Sequence, residues 1–240
     1  MIYVTHDIDW LNPWHPFAIA KTFTHGNKWL RLGQLKNQAL FLNGIESLLK
    51  FNQSKAINAI WLIGATNEFP FKNKGLRYTF SCQATKKALA MLMENNAEIG
   101  LHSVSTEPII EQCNRLNETI KKEIYYHRSH YLNYSPQTLY PQLKQAKIAI
   151  DFSLGTAREV SLPKLDTFNE DRLRLIPTIL FDNIFFFQKP EVVFEKFKSV
   201  LREVKSTQSD VAILFHPENF LINPALWEYY QECIRLINQH

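Results

Sequence analysis

Seven short apolar runs, spread along the whole chain, constrain its fold more than any other feature. They are rich in β-branched and aromatic residues and occupy positions 2–5, 59–65, 98–102, 124–131, 148–153, 173–181 and 211–215. Most of them are too short for helices and are bounded by polar or turn residues, so they predict strands. Segments with apolar residues at helical spacing lie between them, including the stripes Ile109, Cys113, Leu116, Ile120 and Val193, Phe197, Val200, Val204.

This alternation of strands and helices predicts an α/β fold built from βαβ units around a parallel sheet. Seven units without a clear linker favour a single distorted (β/α)7 barrel, a TIM-like barrel with parallel strands, over two domains. A chain of 240 residues suits this architecture, and we expect residues 1–240 to form one domain. The segments 11–36 and 69–83 show no clear period and are interpreted as elaborated loops.

Charge and cysteine content narrow the classes of function. The 27 Lys and Arg residues against 23 Asp and Glu residues give a net charge of +4, and the basic residues are scattered, so we expect no nucleic-acid partner. The three cysteines are far apart and form no Cys-x-x-Cys pair, which is typical of reduced thiols. Neither a leader pattern nor an apolar run of membrane-spanning length occurs, so we expect no membrane span and a cytoplasmic location.

Acidic residues, histidines and an arginine recur where the predicted strands end. Each of them alone is more often a helix cap or a satisfied structural residue than part of a site. In a parallel β/α barrel, however, all strands end on the same face, and that face carries the active site. The residues that we expect to converge there are Asp7, Asp9, Glu68, His102, His127, Arg128, His130, Asp151, Asp182 and His216.

These residue types indicate a metal-dependent enzyme. Carboxylates and imidazoles are ligands that zinc and similar divalent ions accept. A nucleotide cofactor is disfavoured, because Gly64, Gly100 and Gly155 are isolated and form no glycine-rich phosphate loop. A serine hydrolase is also disfavoured, because the chain has no G-x-S-x-G nucleophile elbow.

Five short motifs in order resemble those of the polysaccharide deacetylases, which are carbohydrate esterases. They are Thr-His-Asp-Ile-Asp at 5–9, Glu-Ile-Gly-Leu-His-Ser at 98–103, Arg-Ser-His-Tyr at 128–131, Asp-Phe-Ser at 151–153 and Leu-Phe-His at 214–216. The resemblance implies a distorted seven-stranded β/α barrel that removes an N-acetyl group from a sugar or polysaccharide precursor with a divalent metal, expected to be zinc. The combination is also similar to a subgroup associated with surface-polysaccharide and O-antigen biosynthesis.

The resemblance implies catalytic roles for four residues. Asp7, in the first motif, would be the general base. Arg128 would orient the carboxylate of this base and keep it ionised. His216, in the last motif, would be the general acid, and Asp151 would be the acidic residue that pairs with it.

The metal site implied by the resemblance departs from the family pattern. Asp9 and His102 would be ligands, but Thr106 stands where the second motif usually carries another histidine, four residues after the first. Catalytic zinc usually has three protein ligands. The third could be His130, or His6, although alternation along the strand points His6 away from the site. A hydroxyl at 105 or 106 that holds a metal-bound water is the remaining alternative.

Two other functions stay open at this point. The same fold could hydrolyse a different C–N bond, such as that of a cyclic amide. The absent histidine would also suit a non-catalytic carbohydrate-binding protein on a degenerate deacetylase scaffold. Aromatic residues that follow the first strand either contact a sugar or pack on the barrel mouth; they are Trp10, Trp14, Phe17, Phe23 and Trp29.

Overall fold

A computed structural model describes residues 1–11, 39–68, 76, 78–132, 135–163 and 173–239. Eight parallel strands of this part of the chain form one curled sheet. The strands are β1 (Ile2–Ile8), β2 (Ile60–Ile63), β3 (Glu98–Ser103), β4 (Tyr126–Ser129), β5 (Ile150–Asp151), β6 (Arg174–Leu175), β7 (Thr178–Phe181) and β8 (Val211–Leu214). Their order in the sheet is β6-β5-β4-β3-β2-β1-β8-β7, which confirms the α/β class and the parallel sheet.

Helices separate most of the strands along the chain. They are α1 (Ala39–Ser54), α2 (Gln83–Glu94), α3 (Ile109–Ile120), α4 (Pro136–Gln145), α5 (Pro190–Thr207), α6 (Asn219–Ile222) and α7 (Leu226–Asn238). Helices α3 and α5 bury the two apolar stripes that the sequence predicts. Two 3-10 helices, His130–Leu132 and Asp182–Phe186, directly follow β4 and β7. Among the helices described, none is both long and apolar enough to cross a membrane.

The two faces of the sheet carry different apolar layers. The outer face is the one that the helices cover, and its large core joins strand residues such as Trp61 and Leu101 to helix residues such as Leu116. The inner face holds a small cluster made of strand and strand-end residues, namely Ile60, Leu62, Phe152, Ile176 and Ala212. Gly100 is required on this face, because a Cβ there would lie 2.6 Å from the Leu62 side chain.

The run at 173–181, predicted as one strand, is two short strands in the structure. Pro177 lies between them and has no N–H to donate. The neighbours of the segment change at this point: the Ile176 N–H donates to the Asp151 carbonyl at 2.9 Å, whereas the Pro177 carbonyl accepts from the Ala212 N–H at 2.8 Å. Because β6 and β7 stand at opposite ends of the strand order, a closed seven-stranded barrel stays a prediction.

Candidate functional site

Six of the seven predicted site residues line one cavity of about 150 Å³. Strands β1, β3 and β4 place Asp7, His102 and Arg128 on the inner face at their carboxyl ends, where parallel strands open toward a common rim. The remaining three lie directly beyond strand ends; they are Asp9, His130 and His216. The convergence of strand ends expected from the sequence is therefore present for these residues.

A buried ion pair joins Arg128 to Asp7 at the base of the cavity. The guanidinium Nη1 donates to Asp7 Oδ1 at 2.7 Å, and both side chains are at most 2% exposed. The other guanidinium nitrogens donate to the Phe152 carbonyl and to the hydroxyls of Thr5 and Thr178. A buried charge needs such complete pairing to offset its desolvation, so the carboxyl of Asp7 is held in one orientation.

A second buried carboxyl holds His216. Asp182 Oδ1 lies 2.7 Å from His216 Nδ1, and Asp182 Oδ2 accepts from the His216 backbone N–H at 2.8 Å and from Asn219 Nδ2 at 3.0 Å. Burial alone would lower the pKa of His216, but the charge of Asp182 and its hydrogen bond raise it to about 10. The imidazole is therefore protonated at neutral pH, with Nδ1 engaged and Nε2 facing the cavity.

The pairing of Asp151 with His216, implied by the resemblance, is corrected by these contacts. Asp151 Oδ1 instead lies 2.7 Å from His127 Nδ1, and both residues are fully buried. The physical reason is strand alternation: Phe152 belongs to the inner apolar layer, so its neighbour Asp151 lies on the outer face. Asp182, which immediately follows β7, takes the place assigned to Asp151.

Asp9, His102 and His130 form a cluster that could hold a metal ion. Each offers one ligand atom, and these atoms lie within 4.8 Å of one another. His102 Nε2 is 2.7 Å from His130 Nδ1, and Asp9 Oδ1 is 3.2 Å from the former and 3.6 Å from the latter. Asp9 Oδ1 is buried and has no hydrogen bond in the described part of the chain. A cation among these donors would satisfy it, so the residues fit a divalent metal.

The protonation states of this cluster also suit a metal. Burial would raise the pKa of Asp9, but its interactions with His130, His102 and His216 hold it well below its usual range. Burial lowers the pKa of His130 to about 4, although the charge of Asp9 opposes this shift. An ionised carboxylate and a neutral imidazole are the forms that bind a metal.

The backbone after β4 brings His130 to the cavity. The sequence predicts a strand to position 131, but β4 ends at Ser129 and a 3-10 helix follows. Within it Tyr131 has φ 59° and ψ 19°, in the left-handed region, which is uncommon for residues other than glycine. The chain therefore turns sharply just after His130, which lies beside His102 at the end of β4.

The structure separates His130 from the other proposed third ligands. His6 is fully buried on the outer face, where its Nδ1 lies 2.9 Å from the Phe215 carbonyl oxygen. Thr106 and its preceding residue are exposed and are not among the described residues that line the cavity. His130 is thus the candidate that lies with Asp9 and His102.

No protein-family model and no curated protein matches the sequence. A structure assigned as a polysaccharide deacetylase from Mycobacterium smegmatis is similar with a TM-score of 0.57 at 12% identity, over 98% of this chain and 82% of the other. The chain has the polysaccharide deacetylase fold.

Two further structures are more distant. A polysaccharide deacetylase assigned to O-antigen biosynthesis in Bordetella bronchiseptica has a TM-score of 0.45 at 12% identity, over 99% of this chain and 80% of the other. A carbohydrate esterase family 4 pseudoenzyme from Bacillus anthracis has a TM-score of 0.45 at 10% identity, over 97% of this chain and 61% of the other.

Sequence reasoning about this deacetylase fold missed two parts of the site. The sequence places Asp182 at a strand end, and this position could have indicated a carboxyl partner for His216, but no role was assigned to it. Sequence reasoning also missed Thr5 and Thr178, whose hydroxyls accept from Arg128. Nothing in their local sequence distinguishes them from ordinary strand threonines.

The predicted aromatic loop lies largely outside the described residues. Positions 14, 17, 23 and 29 belong to that part. Trp10 is described and is buried against Phe41 and Ile222, which is a packing role. Phe187, near the cavity rim residue Asn183, is 72% exposed.

Proposed function

We propose that the chain is a metal-dependent hydrolase that removes an N-acetyl group from a sugar or polysaccharide precursor. One observation carries this proposal. The carboxyl of Asp7 and the imidazole of His216, each held by a buried partner, both lie close to a member of the same cluster of candidate ligands. Asp7 Oδ2 lies 3.6 Å from His102 Nδ1, and His216 Nε2 lies 3.8 Å from Asp9 Oδ2. Amide hydrolysis needs a base for the attacking water and an acid for the leaving nitrogen.

Asp9, His102 and His130 would hold the ion, with His130 in place of the histidine that the second motif lacks. One carboxylate and two imidazoles are a donor set of catalytic zinc, which keeps a further position open for water or substrate, so we propose zinc. When bound, such an ion polarises a carbonyl and lowers the pKa of water to about 7 in favourable sites.

Asp7 would act as the base. Its Oδ1 accepts from Arg128 and is fixed, whereas its Oδ2 lies toward His102 and the cavity. Arg128 thus leaves one carboxyl oxygen of Asp7 to accept a proton from the attacking water. The same guanidinium offsets the negative charge that Asp7 carries in a site with little water.

His216 would act as the acid. Its Nδ1 is engaged by Asp182, so the proton available to a substrate lies on Nε2. With its pKa raised to about 10, the imidazole carries this proton at neutral pH and can donate it to the amine that leaves. Asp182 would compensate the positive charge before the transfer and fix the direction in which Nε2 points.

We further propose that β6 and β7 act as one bent strand that closes the barrel of a single domain. The support is that this segment donates and accepts backbone hydrogen bonds on both sides, toward β5 and toward β8. The Thr178 hydroxyl, next to Pro177, accepts a hydrogen bond from Arg128 Nη2 at 2.9 Å. The proposed closure would explain why this segment reaches Arg128. A cytoplasmic location and an O-antigen precursor as substrate stay predictions.

The test is acetate release from a panel of N-acetylated sugars by the zinc-equilibrated protein, with zinc per chain measured on the same sample. We expect activity with a stoichiometric ion. Asp7→Asn should lose on the order of 10²–10⁴-fold in kcat and keep its zinc. Asp210→Asn is the matched control, since Asp210 lies far from the cavity and pairs with Arg174.

Full activity of Asp7→Asn would contradict the assigned base. Zinc binding without acetate release from any sugar, combined with hydrolytic ring opening of cyclic amides to amino acids, would redirect the proposal to another C–N bond. Sugar binding without hydrolysis and without zinc would establish the degenerate scaffold instead.

A further inference from the structure

A second histidine-centred cluster lies behind the site, on the outer face of the sheet. Ser103 Oγ is 2.7 Å from His127 Nε2, and His127 Nδ1 is 2.7 Å from Asp151 Oδ1. All three side chains are buried, with at most 3% exposed. The cluster therefore has the residue types and hydrogen-bond order of a hydrolase triad, although neither the base nor the acid of the proposed reaction belongs to it.

This cluster is not a nucleophilic centre. Ser103 is not among the described residues that line the cavity, and its side chain lies under the helices that cover the outer face. A serine nucleophile must reach a substrate carbonyl, and a hydroxyl that is 3% exposed on the helix-covered face cannot do so. The cluster can therefore affect the site only by fixing the positions of the strands to which its residues belong.

The hydrogen bonds around Asp151 determine which ring nitrogen of His127 carries a proton. Ser153 Oγ accepts from the Ser129 N–H at 2.8 Å, and so donates its own hydrogen to Asp151 Oδ1 at 2.6 Å. With Asp151 Oδ1 as the acceptor, His127 donates from Nδ1, and its Nε2 is hydrogen-bonded to the Ser103 hydroxyl. This arrangement requires a proton on Nδ1 of His127.

Every member of the cluster is next in the chain to a residue of the site. His102, a candidate ligand, precedes Ser103, and Arg128 follows His127. Phe152 follows Asp151; its carbonyl accepts from Arg128 Nε at 3.1 Å and its ring centroid is 5.5 Å from the guanidinium carbon. Because side chains alternate across a strand, a contact that fixes the outer residue also fixes the direction of its inner neighbour.

The backbone pairing is short where the cluster reaches β5. Strand β5 has two residues and β4 has four, so few backbone hydrogen bonds fix the register between them. In the register, His127 stands opposite Leu101 on one side and Asp151 on the other. The side-chain chain from Ser103 through His127 to Asp151 thus crosses three strands where the backbone ladder is short.

We propose that Ser103, His127 and Asp151 are positioning residues that lock β3, β4 and β5 together, and so hold His102 and Arg128 in their working directions. This inference rests on the proposed function for its kinetic consequence, but its geometric consequence can be measured without any activity. The hydrogen bond from Arg128 Nε to the Phe152 carbonyl reports directly on whether β4 and β5 keep their relative position.

The test compares Ser103→Ala with Thr85→Val, which removes a buried hydroxyl from α2, away from the site. We expect Ser103→Ala to lower kcat about tenfold with KM within about twofold, since small misplacements of a site reduce the rate steeply. The protection of the Arg128 Nε–H against solvent exchange, followed by NMR, should fall about tenfold as well. Ser103→Thr, which restores a hydroxyl, should recover most of both quantities, and Thr85→Val should change neither.

The outcomes separate the two proposals. Unchanged Arg128 protection and kcat in Ser103→Ala would overturn the positioning role, as would equal losses in Thr85→Val, which would show general destabilisation. If the unchanged protein releases no acetate while Ser103→Ala still loses Arg128 protection, the positioning role stands and the proposed function is what fails. ¹⁵N NMR of the unchanged protein should show a proton on Nδ1 of His127, and an unprotonated Nδ1 would overturn the proposal.

Discussion

His216 and His6 are two buried histidines on neighbouring strands whose protonation is opposite. The pKa of His216 is raised to about 10, whereas that of His6 is lowered to about 4. Burial lowers both values, but His216 faces the carboxyl of Asp182 on the inner side. His6 lies on the outer side, where its two ring nitrogens contact a backbone carbonyl and a side-chain amide, those of Phe215 and Asn52.

The difference between these two histidines follows from the partner, because burial lowers both pKa values and only His216 has a carboxyl partner whose charge and hydrogen bond raise its pKa to about 10. The Phe215 carbonyl can only accept, so His6 donates from Nδ1 and accepts from Asn52 Nδ2 at Nε2. Asn52 Oδ1 in turn accepts from the Tyr230 hydroxyl at 2.6 Å. This chain is complete with a neutral imidazole, whereas the pairing of His216 is completed by a charged one.

The largest expected effect comes from removing the carboxylate charge at His216. Asp182→Asn keeps the size of the side chain but takes away the interaction that raises the pKa of His216. The imidazole should then lose its proton at lower pH, so the alkaline limb of the kcat profile should move down by at least about one pH unit. We expect kcat at neutral pH to fall on the order of 10²–10⁴-fold.

The profile of acetate release against pH measures this effect, with Asp210→Asn as the control. Since the folded pKa of His216 is raised, the stability that its pairing contributes is present below its ordinary value of 6.5 and is lost as pH rises through about 10. An alkaline limb that stays in place in Asp182→Asn would show that His216 is not the group that titrates there.

The next largest effect concerns the metal cluster on the inner face. Changes to residues that only support a ligand cost about 10–100-fold in metal affinity, so loss of a ligand should cost more. We expect His130→Ala to weaken zinc binding by on the order of 10²-fold or more, measured by competition with a chelator. His6→Gln, on the outer face, should bind zinc like the unchanged protein. Equal affinity in His130→Ala would remove His130 from the ligand set.

A smaller effect should appear in the pH dependence of the free energy of unfolding, to which the lowered pKa of His6 contributes. The unfolded chain takes up a proton near pH 6.5 that folded His6 does not accept until about pH 4. The contribution of His6 to the free energy of unfolding is therefore fully present above pH 6.5 and is lost as pH drops toward 4. A shift of this size corresponds to a loss of about 2 kcal/mol between pH 7 and pH 5.

Urea unfolding at pH 7 and pH 5, with a chelator present, checks this expectation. His6→Gln should show a loss between the two pH values that is smaller by about 2 kcal/mol than in the unchanged protein. The chelator keeps the metal cluster in the same state in both proteins, so that the contribution of His130 cancels. An identical loss in both proteins would place the titrating group elsewhere.

Much of the site could be predicted from the sequence because strand ends are easy to recognise. Asp7, His102 and His216 each close an apolar run, and parallel strands bring such ends to one rim. Asp151 could not be assigned in the same way. Its strand has two residues, too few for the sequence to show which residue faces outward, and its place on the outer face becomes apparent from the inner position of Phe152 and from its contact with His127.

Two further features depend on backbone geometry that the sequence does not show. Asp182 reaches His216 because β7 lies beside β8, and that neighbourhood follows from the bend at Pro177. The sequence predicts a strand to position 131, but β4 ends at Ser129, and the left-handed conformation of Tyr131 turns the chain directly after His130. No local sequence pattern indicates this turn, because Tyr131 is not a glycine.

The smallest expected effect concerns the end of the neutral chain behind His6. Tyr230→Phe removes only the hydroxyl that donates to Asn52 Oδ1 and leaves the ring in contact with His6 and Phe215. A neutral hydrogen bond contributes about 1 kcal/mol, and the unsatisfied amide oxygen adds to the cost, so urea unfolding should show a loss of about 1–2 kcal/mol. Because the Asn52 amide still donates to His6, kcat and zinc affinity should stay unchanged. A fall in kcat comparable to that of Asp182→Asn would mean that the hydrogen bonds behind His6 affect the site as strongly as the pairing of Asp182 with His216 does. The two histidines would then differ in protonation but not in their effect on the reaction.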